Sequence, residues 1–256
     1  MINENYDGIN VRKTCLEEGS ETPLVFIHGG FHGSWVWDNY LNYFSERGWN
    51  CFAVDLRGHH LSRALHPGAL VETGIEDYVD DVRQVLGILN RSPILIGHSI
   101  GGLIAPKVAE ICAVKGVVMI APSPPAGVKS GILLKDLDPT VPLVLERDRI
   151  DQLYLSRIPQ DQREKYFDLF CPESPRAIRQ IADGDIYVDA EKLIFPKLVV
   201  NGFLDPQHNN GEDINVAQYY NAPCFCFPGM GHDMMLETNW ETVAEVIALW
   251  LENIAT

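Results

Sequence analysis

The chain of 256 residues is 46% hydrophobic and 21% charged, which is typical of a folded globular protein and excludes a disordered or fibrous one. Its 35 Asp and Glu residues against 20 Lys and Arg residues give a formal net charge of −15. Because nucleic acids and anionic membrane surfaces are bound by clustered cations, we expect neither as a partner.

Short aliphatic runs alternate with longer amphipathic segments along most of the chain. This alternation is typical of strand–helix–strand units around a parallel sheet. The short runs are aliphatic on both faces, as strands buried in a parallel sheet require. In chain order we predict strand 24–27, helix 34–47, strand 50–55, helix 75–90, strand 93–97, helix 100–113, strands 116–121 and 197–201, helix 211–221, strand 222–227 and helix 239–254.

The stretch 122–196 interrupts this alternation. It opens with Pro122-Ser123-Pro124-Pro125-Ala126-Gly127, which continues neither a strand nor a helix. A plain crossover between parallel strands needs about a dozen residues, far fewer than lie here. We therefore predict one α/β core, formed by residues 1–121 and 197–256, with a helical cap, residues 122–196, inserted into it. Such a cap would supply pocket walls and so influence the choice of substrate.

The sharpest motif is Gly97-His98-Ser99-Ile100-Gly101, a G-x-S-x-G between a predicted strand and a predicted helix. A serine on such a tight turn has strained backbone angles, and glycines beside it let the helix pass close to the sheet. The motif alone occurs by chance in many chains, but its place at a strand–helix junction makes Ser99 the candidate nucleophile.

A serine at neutral pH needs a base, usually a histidine that a carboxylate orients. His232 lies in a glycine-rich loop after the last predicted strand, at the sheet edge where ligands bind in open α/β sheets. Asp205 follows another predicted strand and is the favoured acid. Asp233 and Asp55 are rivals, although Asp233 adjoins His232 in the chain and Asp55 precedes the nucleophile.

The oxyanion formed during attack on a carbonyl needs preorganised N–H donors. The backbone N–H of Ile100, at the start of the helix, is one candidate. The second should come from the His28-Gly29-Gly30-Phe31 segment after the first long strand, with Gly30 first and Phe31 second. The ring of His28 is expected to hold the loop rather than to react.

These motifs together (strand-HGG, DLRGHHLS, strand-GHSIGG, GFLDP and GMGHDMM) resemble the α/β-hydrolase superfamily from about residue 20 onward. HGGFHGSWVWDNYLNYFSERG is further similar to bacterial esterases and plant methylesterases. The resemblance implies the α/β-hydrolase fold, the catalytic order Ser99, Asp205, His232, and no cofactor. Two positions depart from the pattern: His60 stands where glycine is usual, and Pro106 falls inside the predicted helix after Ser99, where a kink is expected.

Candidate substrate-binding residues are Phe31, Trp35 and His98. Packing in the core is the alternative for Phe31 and Trp35, and a structural role is the alternative for His98. His59 and His60 are adjacent, but no nearby cysteine or spaced carboxylate completes a ligand set, so no metal site is expected.

The resulting hypothesis is a serine hydrolase acting on a small, mostly apolar carboxylic ester, or on a lactone or thioester. Thioesters are less favoured because their usual carriers are anionic, like this chain. Two alternatives remain open. One is cleavage of a carbon–carbon bond, or a lyase reaction, with the same residues. The other is a ligand-binding receptor with vestigial turnover, because fold alone does not decide function.

The cysteines and the N-terminus bear on location. The N-terminal residues show no secretory signal, and no apolar run approaches the roughly 20 residues that cross a bilayer. We therefore expect a cytoplasmic protein. The six cysteines include no CxxC pair and are interpreted as buried free thiols: Cys15, Cys51, Cys112, Cys171, Cys224 and Cys226.

Overall fold

The computed structural model describes residues 1–14, 19–131, 137–207 and 212–255. Its centre is an eight-stranded sheet with the order β1-β2-β4-β3-β5-β6-β7-β8. Strands β3 to β8 are parallel, whereas β1 and β2 form an antiparallel hairpin on β4. The strands are β1 Ile2–Tyr6, β2 Ile9–Lys13, β3 Leu24–Ile27, β4 Cys51–Val54, β5 Ile94–His98, β6 Gly116–Ile120, β7 Lys197–Gly202 and β8 Cys224–Phe227.

The helices confirm the predicted alternation, and most are shorter than the patterns suggested, although the last keeps its predicted length of 16 residues. The segment predicted as helix 34–47 begins as a 3₁₀ turn, Ser34–Trp37, before the α-helix starts. The helices are α1 Asp38–Ser45, α2 Pro67–Val71, α3 Ile75–Leu86, α4 Ile100–Ala109, α5 Arg147–Leu153, α6 Gln160–Phe167, α7 Pro175–Asp183, α8 Glu212–Tyr219 and α9 Trp240–Ala255.

Successive residues of the strands point to opposite faces of the sheet and contribute to two apolar cores, one on each face. In β3, Leu24 and Phe26 join the core that α1 and α9 cover. Val25 and Ile27 join the opposite core, beneath α3, α4 and α8. Because both faces of each central strand are buried, the aliphatic runs of the sequence correctly predicted parallel strands. This is the fold that the resemblance implied.

Between β6 and β7, residues 122–196 contain α5, α6, α7 and a short 3₁₀ turn. An isolated antiparallel bridge between Leu143 and Glu173 ties two parts of this segment together. Its inner residues, among them Ile150, Tyr154 and Leu155, pack into the core beneath α1 and α9. The segment is therefore joined to the rest of the molecule by apolar contacts.

The structure corrects one prediction about the thiols. In the described part of the chain, Cys51 is buried, but Cys112, Cys171 and Cys224 are only half-buried and Cys226 is exposed. For Cys224 and Cys226 the reason is that β8 lies at the edge of the sheet, where one side has no neighbouring strand. Cys15 lies outside the described residues, as does Gly211 at the start of the predicted helix 211–221. None of the described helices is both long and apolar enough to cross a membrane.

The loop after β4 keeps a glycine-like backbone although it carries His60. His60 has φ of 42°, in the left-handed region that glycine adopts without cost. His60 therefore occupies a backbone conformation that glycine, the usual residue at this position, would adopt at lower cost. Helix α4 runs through Pro106, and the N–H of Glu110 donates to the carbonyl of Pro106.

Candidate active site

Ser99 occupies a strained turn between β5 and α4. Its φ of 52° and ψ of −118° lie outside the regions that a non-glycine residue prefers. A side chain at Gly97 would come within 2.0 Å of the carbonyl oxygen of Gly101, and one at Gly101 within 2.3 Å of that of Ile27. The glycines of the motif are thus required by close backbone contacts, and the turn leaves Ser99 partly exposed between buried neighbours.

Asp205 and His232 meet where the loops after β7 and β8 pack together. The N–H of Leu204 donates to the carbonyl of Met230 at 2.9 Å, which joins the two loops. The Nδ1 of His232 lies 2.7 Å from Oδ2 of Asp205, and both side chains are buried. The other carboxylate oxygen of Asp205 accepts the N–H of Gln207 at 2.8 Å. The acid therefore holds the imidazole by Nδ1.

The two rival acids are engaged elsewhere. The carboxylate of Asp233 lies 3.0 Å from Nε2 of His32, whereas Nδ1 of His232 is paired with Asp205. Asp55 accepts the side-chain amide of Asn10 at 2.7 Å and the backbone N–H of Ser34, so it supports the loops that follow β3 and β4. Asp205 is the acid that the geometry pairs with His232.

Ser99 opens into a cavity of about 150 Å³ between the sheet edge and the segment after β6. None of the described residues that line it carries a charge. Burial raises the pKa of the Tyr154 hydroxyl, so this group stays protonated. The ring of Tyr154 also lies 5.6 Å from that of His232, so the imidazole packs against a residue that lines the cavity. The lining residues are Gly30, Phe31, Ser99, Ile100, Ser123, Leu143, Leu145, Leu153, Tyr154, Ile178 and Gln207.

Two of the three predicted substrate-binding residues do not line this cavity. Phe31 does. Trp35 lies in the 3₁₀ turn Ser34–Trp37. Its ring packs instead against those of Tyr166 and Phe170, with ring centroids 5.8 and 5.6 Å away. His98 is fully buried, and its Nε2 donates to the carbonyl of His232 at 3.0 Å. His98 is thus a structural residue that ties β5 to the loop of His232.

The loop after β3 is held by a histidine, as predicted. Nδ1 of His28 donates to the carbonyl of Gly29 at 2.7 Å, and its Nε2 accepts the N–H of Leu56 at 3.0 Å. Burial lowers the pKa of His28 well below its usual value, with the charge of His59 adding to the effect, so the ring is neutral. His28 therefore holds the backbone at Gly29 in a fixed position relative to Leu56.

Residues 24–246 match the family model described as the alpha/beta hydrolase family. The chain belongs to the alpha/beta hydrolase family. It is 34% identical over 95 residues to the (E)-2-((N-methylformamido)methylene)succinate hydrolase of Acinetobacter baylyi, a match covering 37% of this chain and 34% of that protein. The chain therefore spans about a third of the length of this relative.

Longer matches cover nearly the whole of this alpha/beta hydrolase at lower identity. A non-heme haloperoxidase of Rhodococcus erythropolis is 26% identical over 265 residues, covering 92% of this chain and 94% of that protein. The crystal structure of the methylesterase MES16 from Arabidopsis superimposes with a TM-score of 0.76 at 18% identity, covering 90% of this chain and 99% of that one. At this identity the structural likeness shows the fold alone.

A buried ion pair beside the candidate site leaves no signal in the sequence. Glu173, 1% exposed, lies 3.2 Å from Nε2 of His59, whose Nδ1 faces the carbonyl of Arg57 at 3.0 Å. Burial is the largest single influence on the pKa of His59 and lowers it. The charge and hydrogen bond of Glu173, together with the carbonyl of Arg57 and the charge of Asp55, nevertheless raise this pKa overall. For the carboxyl of Glu173, burial raises the pKa. The charge and hydrogen bond of His59 and the hydrogen bonds from Tyr78 and Ser174 lower it by more, so the pKa of Glu173 is below its usual value. Each partner therefore favours the charged form of the other.

One group of described side chains has the proximity of a metal site: His32, His98 and Asp233, all buried, whose ligand atoms lie within 4.8 Å of one another. However, Nδ1 of His32 faces the carbonyl of Gly30 at 2.6 Å while its Nε2 faces the carboxylate of Asp233. Both ring nitrogens of His32 thus already face hydrogen-bond acceptors of the protein. The arrangement is a hydrogen-bonded pair.

Proposed function

We propose that this chain is a serine hydrolase that cleaves a small, uncharged carboxylic ester through an acyl-enzyme on Ser99. One observation carries the proposal: His232, held by Asp205 at 2.7 Å, packs against Tyr154, which lines the cavity into which Ser99 opens. A hydroxyl on a strained turn, a base and an orienting acid are the three parts that acyl transfer requires. The esterase- and hydrolase-named relatives support the same reaction class.

In the first half of the proposed reaction, Oγ of Ser99 attacks the acyl carbon and His232 takes its proton. The negative charge that forms on the carbonyl oxygen is held by the backbone N–H groups of Gly30 and Ile100. Collapse of this intermediate breaks the bond to the alcohol, which leaves with the proton from His232. The acyl group then remains on Ser99.

In the second half, His232 removes a proton from water, and the resulting hydroxide attacks the acyl-enzyme. The same two N–H groups hold the second oxyanion. The acid product leaves, and Ser99 recovers its proton from His232. Asp205 keeps Nδ1–H of His232 in place throughout, so that the other ring nitrogen serves as base and acid.

Gly30 is favoured over Phe31 as the second donor because the N–H of Phe31 is already used. It donates to the carboxylate of Glu173 at 3.3 Å. Gly30 lines the cavity beside Ser99 and Ile100, where a developing oxyanion would lie.

The cavity supports a short, neutral substrate. Its volume of about 150 Å³ corresponds to roughly five water molecules at about 30 Å³ each. Four of the apolar residues that line it come from the segment 122–196, which we propose acts as a cap: Leu143, Leu145, Leu153 and Ile178. A charged acyl group would find no counter-charge among the described lining residues.

The test is the hydrolysis of p-nitrophenyl acetate, butyrate and octanoate by the wild type and by Ser99→Ala. We expect kcat/KM to fall at least about tenfold from butyrate to octanoate, because each methylene that a pocket cannot accept costs about 1–3 kcal/mol. Ser99→Ala should lose at least about 10³-fold in kcat. Ser45→Ala, on α1 away from the cavity, is the matched control.

Each alternative predicts a different result, on the same esters or on a β-diketone tested beside them. A receptor would release at most one equivalent of p-nitrophenol and then stop. A carbon–carbon hydrolase would cleave a β-diketone in preference to every ester. Full activity of Ser99→Ala on the esters would exclude the proposed mechanism.

A further inference from the structure

Two successive peptide groups of the loop after β3 are each held by hydrogen bonds. The carbonyl of Gly29 accepts Nδ1–H of His28 at 2.7 Å and the N–H of His32 at 3.4 Å. Since the C=O and N–H of a trans peptide point in opposite directions, these contacts also set the direction of the Gly30 N–H. This N–H is the proposed oxyanion donor.

The next peptide group, between Gly30 and Phe31, is held at both ends. Its carbonyl accepts Nδ1–H of His32 at 2.6 Å, and its N–H donates to Oε2 of Glu173 at 3.3 Å. The carbonyl of Phe31 in turn accepts the N–H of Cys171 at 2.7 Å. Two residues of the segment 122–196 therefore hold both backbone groups of Phe31.

Phe31 needs this support because its backbone is strained. Its φ of 65° lies in the left-handed region, which is a rare conformation for a bulky residue. Such a conformation persists only where the surroundings determine it. The hydrogen bonds with Glu173 and Cys171 hold Phe31 in this conformation.

The carboxylate of Glu173 is saturated with donors. Oε2 takes the N–H of Phe31 and Nε2–H of His59, at 3.3 and 3.2 Å. Oε1 takes the hydroxyl of Tyr78 and the N–H of Ser174, at 2.5 and 2.6 Å. An ionised, buried carboxylate with four donors has one fixed position. Its hold on Phe31 is correspondingly rigid.

We propose that Glu173 is a positioning residue: by fixing the N–H of Phe31 it keeps the neighbouring Gly30 N–H aimed at the oxyanion, and so couples the segment 122–196 to catalysis. This rests on the proposed function, because it assumes that Gly30 stabilises an oxyanion. Glu173 touches neither the nucleophile nor the base, and the residues that line the cavity do not include it.

Glu173→Gln tests this selectively. Its single amide oxygen can keep Tyr78 and Ser174, and its NH₂ can donate to a neutral His59, but the N–H of Phe31 then faces a donor. We expect kcat on p-nitrophenyl acetate to fall about tenfold to a hundredfold while KM changes less than threefold, because the Gly30 contact strengthens only in the transition state. Binding of a trifluoromethyl ketone, which forms an oxyanion on Ser99, should weaken in parallel with kcat/KM.

Tyr78→Phe is the matched control, since it removes one donor from Oε1 and leaves Oε2 with Phe31. It should lower the thermal unfolding midpoint and reduce kcat far less than Glu173→Gln does, because the N–H of Phe31 keeps its acceptor. Glu173→Gln that is folded and keeps wild-type kcat would overturn the proposal. If Ser99→Ala were fully active as well, the proposed function would have failed first, so the two failures are distinguishable.

A measurement on the wild type covers the case in which Glu173→Gln does not fold. With ¹⁵N-phenylalanine the ten phenylalanine amides give separate signals, and Phe31→Leu assigns that of Phe31. The Phe31 amide should exchange with solvent far more slowly than an open loop amide. Exchange as fast as that of an unprotected amide would overturn the proposal, because Glu173 would then not hold this N–H.

Discussion

Ser99 retains its strained backbone because its peptide groups are satisfied by neighbouring elements. Its N–H donates to the carbonyl of Ile120 at 3.0 Å, and its own carbonyl accepts the N–H groups of Gly102 and Ser123 at 2.8 and 2.9 Å. A residue in such a conformation costs about 1–3 kcal/mol, which the surrounding contacts must offset. The strain thus presents the hydroxyl at a defined point, which is the property that a nucleophile needs.

The role of Asp205 gives a prediction at the same scale. Asp205→Asn keeps the size of the side chain but favours the wrong tautomer of His232. We expect kcat on a short ester to fall about 10³- to 10⁴-fold, with the fold unchanged by circular dichroism. Asp233→Asn is the matched control and should cost less than tenfold. A larger loss in Asp233→Asn than in Asp205→Asn would assign the acid to Asp233.

Ser99, Asp205 and His232 could be predicted from the sequence, whereas Glu173 could not, because only the first three have a local signal in the chain. Ser99 lies in a local motif, and Asp205 and His232 follow predicted strands, so the topology brings them together. Glu173 has no such signal, because Phe31, its partner across the site, is 142 positions away. A carboxylate in a proline-punctuated stretch is indistinguishable from a surface residue until its partners are known.

Among the elements, the N-terminal hairpin was missed although a turn signal exists. The strands β1 and β2 are polar and partly exposed, so they lack the aliphatic runs on which the prediction depended. The turn between them is Asp7-Gly8, with φ of 48° and 88°, which is the sequence that a tight hairpin prefers. The ends of α3 and α4 were placed too late because apolar periodicity continues past the last helical turn.

The loop after β8 carries a titratable group that should affect stability. Both carboxylate oxygens of Glu237 accept the N–H of Gly231, at 2.8 and 3.0 Å, next to His232. Burial, with the nearby charge of Asp233, raises the pKa of Glu237 to about 7. Because the folded state then binds this proton more tightly than the unfolded state, the contribution of Glu237 to stability falls as the pH rises from about 4.5 to about 7.

The expected result is a difference between the wild type and Glu237→Gln that depends on pH. Relative to the variant, the free energy of unfolding of the wild type should decrease from pH 5 to pH 7 and change little above that. Urea unfolding at pH 5, 6, 7 and 8 measures it. Glu241→Gln, which removes an exposed carboxyl on α9, controls for the loss of charge. A difference that increases with pH would show that burial does not dominate at Glu237.

At the scale of the whole molecule, the candidate site exists because β5, β7 and β8 end at the same edge of one parallel sheet. That edge was predictable, since the order of aliphatic runs and amphipathic helices determines how parallel strands are connected. The packing of the side chains inside the segment 122–196 was not predictable. Its helices are only seven to nine residues long, too short for periodicity to identify which face lines the cavity.

The most direct test of the account is the site of covalent labelling by a fluorophosphonate. This reagent phosphonylates a serine only where a base and oxyanion donors activate it. We predict that mass spectrometry of the digested wild type finds one modified residue, Ser99, and that neither Ser99→Ala nor acid-denatured protein is labelled. Modification at another serine, or equal labelling of Ser99→Ala, would contradict the assignment of Ser99 as the nucleophile.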